Sequence, residues 1–130
     1  MATFSIRLVE RLRASGINNL AVYAESFPSP KATTPNIVAV ISAGELPLGN
    51  NRKPWSDTKR FLVSGSASGA MDKAQAILNY FIPAGTDPKT GFVQNEYACY
   101  RVLLEKRPTL FSNVGNIFFV EFILKFLIAD

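Results

Sequence analysis

Along residues 117–128, apolar side chains occupy every even position: Phe118, Val120, Phe122, Leu124, Phe126 and Ile128. The odd positions mix Ile117, Phe119, Ile123 and Leu127 with Glu121 and Lys125. Alternation at a period of two predicts a strand with one fully buried face. At about 3.3 Å per residue this strand extends roughly 40 Å, which is long for a small domain. The even face is expected to hold the helices. The odd face, too apolar for water over its whole length, is where a neighbouring subunit is expected.

The rest of the chain punctuates itself clearly. Thr3 can cap a helix over residues 4–15, in which Phe4, Leu8 and Leu12 form a stripe widened by Val9 while Arg7, Glu10, Arg11 and Arg13 face out. Gly16 then ends it as a left-handed residue past the terminus. A short extended piece, Leu20 to Ala24, precedes a stretch with Pro28, Pro30 and Pro35, a composition that fits an irregular connection or a sheet edge. The β-branched run Ile37 to Ile41 has no polar interruption and predicts a strand covered on both faces.

Residues 44–57 hold Gly44, Pro47, Gly49, Asn50, Asn51 and Pro54 and predict a long loop. Thr58 to Ser66 returns as a strand, with Phe61 and Val63 on one side and Arg60, Leu62 and Ser64 on the other. Ser68 can cap a second helix whose Met71, Ala74, Ile77, Leu78 and Phe81 are buried and whose Asp72 lies near the N-terminal dipole. Pro83 limits its continuation, and residues 82–91 have turn chemistry in Asp87, Pro88 and Gly91. Phe92 to Arg107 reads as one long strand, and Pro108 to Gly115 as the link to the C-terminal strand, with the two strands antiparallel. The expected fold is α+β, a single domain over residues 1–130 with a mostly antiparallel sheet of about four to five strands and two helices packed on one face.

Composition narrows the function classes. The 130 residues include no histidine and one cysteine, Cys99, so the chain has no internal disulfide, no Ser-His or Cys-His pair and no clustered zinc ligands. Cys99 lies between Ala98 and Tyr100 in a predicted strand and reads as a small buried hydrophobe. Glu96 and Glu105 are nine residues apart on one predicted strand, roughly 30 Å, too far to share a substrate. Gly65 and Gly69 precede a helix but lack the Lys-Ser or Lys-Thr pair of a phosphate-binding loop. No cofactor or metal is expected. The N-terminus has no uninterrupted apolar segment, and the run from Ile117 to Ile128 is too short and charged to span a bilayer, which predicts a soluble, unexported protein.

The formal net charge is +4. Such a balance permits nucleic-acid contact only if the charges cluster, and here they scatter to element ends, as in Lys59–Arg60 and Lys106–Arg107, where they are expected to be solvated. The tip of the 44–57 loop is the exception. There Asn50, Asn51, Arg52, Lys53 and Trp55 combine the chain's only tryptophan with two cations, and Trp and Arg are favoured as interface anchors.

Taken together, these segments resemble the tail terminator proteins of long-tailed bacteriophages, some of them described as minor capsid proteins. The resemblance rests on the amphipathic helix from Phe4 to Ala14, the PNIVAVISAG strand and its polar loop, the RFLVSGSASGAMDKAQAILNYF strand-to-helix unit, and the closing EKRPTLFSNVGNIFFVEFILKF. The chain departs in the link, where Leu110, Phe111, Ser112 and Asn113 stand in place of the acidic and glycine residues common in that family. The resemblance implies a structural virion protein, assembled in the host cytoplasm, which forms a hexameric ring on the finished tail tube. Its implied partners are further copies of itself, the tail tube protein and a neck or head-completion protein, with DNA only in transit and no membrane or cofactor. A basic lumen would retain phosphates, so Arg52, Lys53, Arg7 and Arg11 are expected at protein contacts and the lumen is expected to be neutral or acidic. Glu121, Ile123 and Lys125 are the candidates on the odd face of the last strand. Alternatives are a neck stopper, a tail tube subunit or a basic nucleic-acid-binding module.

Overall fold

The computed structural model describes residues 4–17, 21–24, 37–42, 55–83, 91–95 and 97–129. Its elements run α1 (Phe4–Arg13), β1 (Ala21–Ala24), β2 (Ile37–Ser42), β3 (Trp55–Gly65), α2 (Ala67–Phe81), β4 (Phe92–Gln94), β5 (Tyr97–Val114) and β6 (Ile117–Ala129). The strands form one six-stranded sheet in the order β1-β2-β3-β6-β5-β4. The expected α+β class holds, but the sheet has six strands and is mixed, because β1 runs parallel to β2.

The even face of β6 is buried as its periodicity requires: Val120, Phe122, Leu124, Phe126 and Ile128 are all fully enclosed. They join Phe61 and Val63 of β3, Val38 and Val40 of β2, and the apolar stripes of both helices in one core. Phe61 stacks on Phe122 at 4.8 Å between ring centroids. Phe126 meets Phe4 of α1 at 5.3 Å and Phe81 of α2 at 5.4 Å, so both helices lie on the same sheet face. Such aromatic pairs contribute about 0.5–1.5 kcal/mol each beyond area burial.

Several local expectations change. The N-cap of α2 is Ser66, whose Oγ accepts from Gly69 N at 3.0 Å, and not Ser68. The helix therefore starts at Ala67, and Asp72 falls beyond its first turn. The predicted strand Phe92 to Arg107 is interrupted at Asn95, whose φ of 52° permits a tight reversal, and the two pieces pair with each other. Pro108 does not start a link. It lies inside β5, which continues to Val114 and turns through Gly115, at φ 59°, directly into β6.

Pro108 is tolerated because β4 pairs only with Tyr97 to Cys99, so the outer edge of β5 beyond them has no strand partner among the described residues. Pro108 also falls within one of four register shifts between β5 and β6, where a missing N–H costs no ladder bond. These irregularities absorb the extra length of β5 and bend the strand, as bulges do.

Candidate functional site

The helices lie on one face of the sheet, and β3, β6 and β5 present a second face on the other side. Register assigns to it Thr58, Arg60, Leu62 and Ser64 of β3, Phe119, Glu121, Ile123, Lys125 and Leu127 of β6, and Arg101, Leu103, Lys106 and Thr109 of β5. Side chains directly opposite each other share a face, so these positions form three adjacent rows.

At the centre is Glu121, only 6% exposed. One carboxylate oxygen accepts from Arg60 Nε and the other from Lys106 Nζ at 2.6 Å. Burial pushes the Glu121 carboxyl up, but the hydrogen bonds and charges of Lys106 and Arg60 outweigh it and hold the group below its ordinary value. The Arg60 guanidinium also lies over the Phe111 ring at 4.7 Å, reaching across β6 to the bulged part of β5. Phe111 remains 55% exposed, and Leu110 beside it 53%.

Lys125 and Arg101 extend the same face without acidic partners among the described residues. Register pairs Lys125 with Leu103 and Arg101 with Leu127, so the two cations are diagonal neighbours on adjacent strands. Arg101 Nε is buried and has no hydrogen-bond partner. Leu62, Leu103, Ile123 and Leu127 are half-buried between these charges. The face is thus apolar in its rows and cationic at intervals, with one carboxylate already neutralised.

The sequence-predicted candidates divide into three groups. Glu121, Ile123 and Lys125 are brought together on this face. Arg7 and Arg11 belong to α1, on the opposite side of the sheet. Arg7 pairs with Glu10 at 2.9 Å. Arg11, expected to face out, instead packs its guanidinium over Phe92 at 4.1 Å and donates to Val93 O at 3.4 Å, which ties α1 to β4. Asn50, Asn51, Arg52 and Lys53 lie outside the described residues. Trp55 was expected in the loop but is the first residue of β3, opposite Ile128.

Arg60, Lys106, Arg101 and Phe111 were missed as site residues. A cross-strand signal existed: Lys106 and Glu121 sit on the two strands expected to pair, and opposite charges on one face attract. Without the register it could not be separated from solvated surface charge. Lys59, also expected to be solvated, is 2% exposed. It faces the helices and bonds Asp57, Ser5 Oγ at 2.7 Å and Ser42 Oγ at 2.8 Å, a role in pinning α1 to the sheet.

Among the described residues there is no group of three or more metal-ligating side chains, and no helix long and apolar enough to cross a membrane. No family model and no curated protein matches the chain.

Proposed function

We propose that this chain is a structural virion protein that caps the end of a phage tail tube as a ring, stops tube polymerisation and offers the head-to-tail joining surface. The observation that carries this reading is the two-sided use of the sheet. The helices consume one face, while the other keeps half-buried Leu62, Leu103, Ile123 and Leu127 and adds exposed Phe111 beside Arg60. Contiguous apolar surface of this kind favours assembly over a solitary life in water. The function requires a rigid core and contact surfaces, with no cofactor, metal or catalytic group.

In such a ring, further copies of the chain, the tube protein and a neck protein are the partners, and DNA only passes through. The cationic sheet face would therefore be turned away from the channel, since released counterions would otherwise hold the phosphates in place. Trp55, the first residue of β3, and Arg52 remain the proposed contacts.

The test combines the mass of the purified protein in solution with negative-stain images taken with and without purified tail tubes. Closed rings, or tubes bearing a terminal cap, are expected. Filaments formed by the protein alone would favour a tube subunit, and a monomer that ignores tubes would refute the reading. Replacing Trp55 and Arg52 by alanine is expected to weaken ring formation or capping with the fold intact.

A further inference from the structure

We infer that the sheet face formed by β3, β6 and β5 docks an acidic protein surface, one that presents carboxylates among apolar side chains, and does not dock a second copy of itself. Among the described residues of this face four cations, Arg60, Arg101, Lys106 and Lys125, stand against the single carboxylate of Glu121. Two copies of it brought together would place like charges opposite one another, which is strongly unfavourable in a desolvated interface. Glu105 and Arg107, at positions without a partner in the β5–β6 register, offset one another and do not change this balance.

Arg101 and Lys125 set the chemistry of the partner. They are held as diagonal neighbours with no acidic group between them among the described residues, and Arg101 Nε is buried without an acceptor. Like charges at this spacing repel in the free protein, and an incoming carboxylate would relieve that repulsion. Arg60 and Lys106 already spend part of their charge on Glu121, so the surplus suits discrete carboxylates.

A phosphate backbone is the competing occupant, and two features disfavour it. The rows between the cations are aliphatic, Leu62, Leu103, Ile123 and Leu127, and the exposed ring beside them, Phe111, is already stacked against the Arg60 guanidinium. The centre of the face carries Glu121, which a track of phosphates would have to cross. Aliphatic rows with charges at intervals match the anatomy of a protein interface, an apolar centre with a polar rim. This holds whether or not the chain closes into a ring.

The experiment titrates fluorescently labelled probes with the full chain and follows anisotropy at two salt concentrations. The probes are a glutamate–leucine copolymer, a lysine–leucine copolymer of matched length, and oligothymidylate. Binding of the glutamate–leucine probe alone, weakened by salt, is expected. Replacing both surplus cations, Arg101→Gln with Lys125→Gln, should weaken it about tenfold, the effect of two exposed charge contacts. The single variant Lys125→Gln touches no hydrogen-bonded group, so it reads the effect even if Arg101 proves necessary for folding. Tighter binding of oligothymidylate than of the acidic copolymer would overturn the proposal in favour of nucleic acid. Absence of acidic-probe binding, or binding unchanged by Lys125→Gln, would also overturn it. The solution mass of the same samples reports on ring formation separately, so the two ideas can fail independently.

Discussion

Asp57 and Lys59 stand two positions apart on β3 and on the same side of the strand, and their carboxylate and ammonium meet at 3.2 Å inside the protein. The two hydroxyls of Ser5 and Ser42 complete the ammonium's three donor bonds. One buried cation therefore joins the first turn of α1, the end of β2 and the middle of β3. A charge so enclosed is tolerated only while its partner remains.

Lys59→Met should accordingly lower unfolding free energy by about 3–5 kcal/mol in urea titrations, because it removes the buried cation that balances the Asp57 carboxylate in the interior. The double replacement Asp57→Leu with Lys59→Met should recover most of that loss, since an apolar pair of similar volume needs no solvation. A single variant within about 1 kcal/mol of the wild type would show that the pair is solvated in solution.

Glu121 predicts a pH dependence of stability. Its folded carboxyl lies below the ordinary value of 4.5, so the folded state favours the ionised form. The resulting stabilisation is fully present above the unfolded value and is lost as pH falls through the folded one. Glu121→Gln should cost about 1–2 kcal/mol at pH 7, with the partial exposure of Lys106 keeping it modest. The gap between variant and wild type should begin to close as pH drops past about 4.5. A gap that stays constant from pH 7 to pH 3 would mean the carboxylate is not held by its two cations.

The parts of the fold that were legible are those with strong periodicity. The even face of β6 and the stripes of α1 and α2 could be read because burial on one face leaves a repeating signature. The run from Ile37 to Val40 was also readable, since all four residues are buried as an uninterrupted strand requires. What escaped depends on context that no local pattern carries. Pro108 breaks a central strand but not a bulged edge, and only the short reach of β4 makes this part of β5 an edge. Lys59 reads as a surface charge until Asp57, Ser5 and Ser42 are brought to it from three elements. The candidate face was half legible: Glu121, Ile123 and Lys125 share one strand, whereas Arg60, Lys106 and Arg101 join them only through register.

Gly91 supports a steric prediction. A Cβ there would lie 2.2 Å from Cys99 O and 2.7 Å from the Tyr100 backbone, and strand backbone cannot yield as a flexible side chain would. Gly91→Ala should force β4 away from β5 and loosen the stack of Arg11 on Phe92. A loss of about 2 kcal/mol or more is expected, at the upper end of overpacking costs, with faster amide exchange in β4 than in β6. Unchanged exchange in β4 would show that the close approach is absent in solution.

Cys99 provides a probe of the same region without any substitution. Its thiol is buried, with burial pushing it up to about 11 against weaker opposing effects from backbone hydrogen bonds at Arg101 and Leu127 and the charge of Arg11. Sγ donates to Arg101 O at 3.3 Å on the helix-covered side of the sheet. Only the thiolate attacks an alkylating reagent, so two independent factors, access and ionisation, protect this group in the native state. At pH 8 iodoacetamide should modify the native protein far more slowly than the urea-unfolded chain, where the thiol returns to its ordinary value of 9.0. Since Cys99 is the chain's only cysteine, total labelling is an unambiguous count of opened molecules. Labelling rates through a urea titration should therefore follow the unfolded fraction measured by circular dichroism. Rapid labelling of the native protein would mean that the β4–β5 end of the sheet opens locally. In that case Gly91→Ala should accelerate labelling further, whereas Glu121→Gln, on the opposite sheet face, should not.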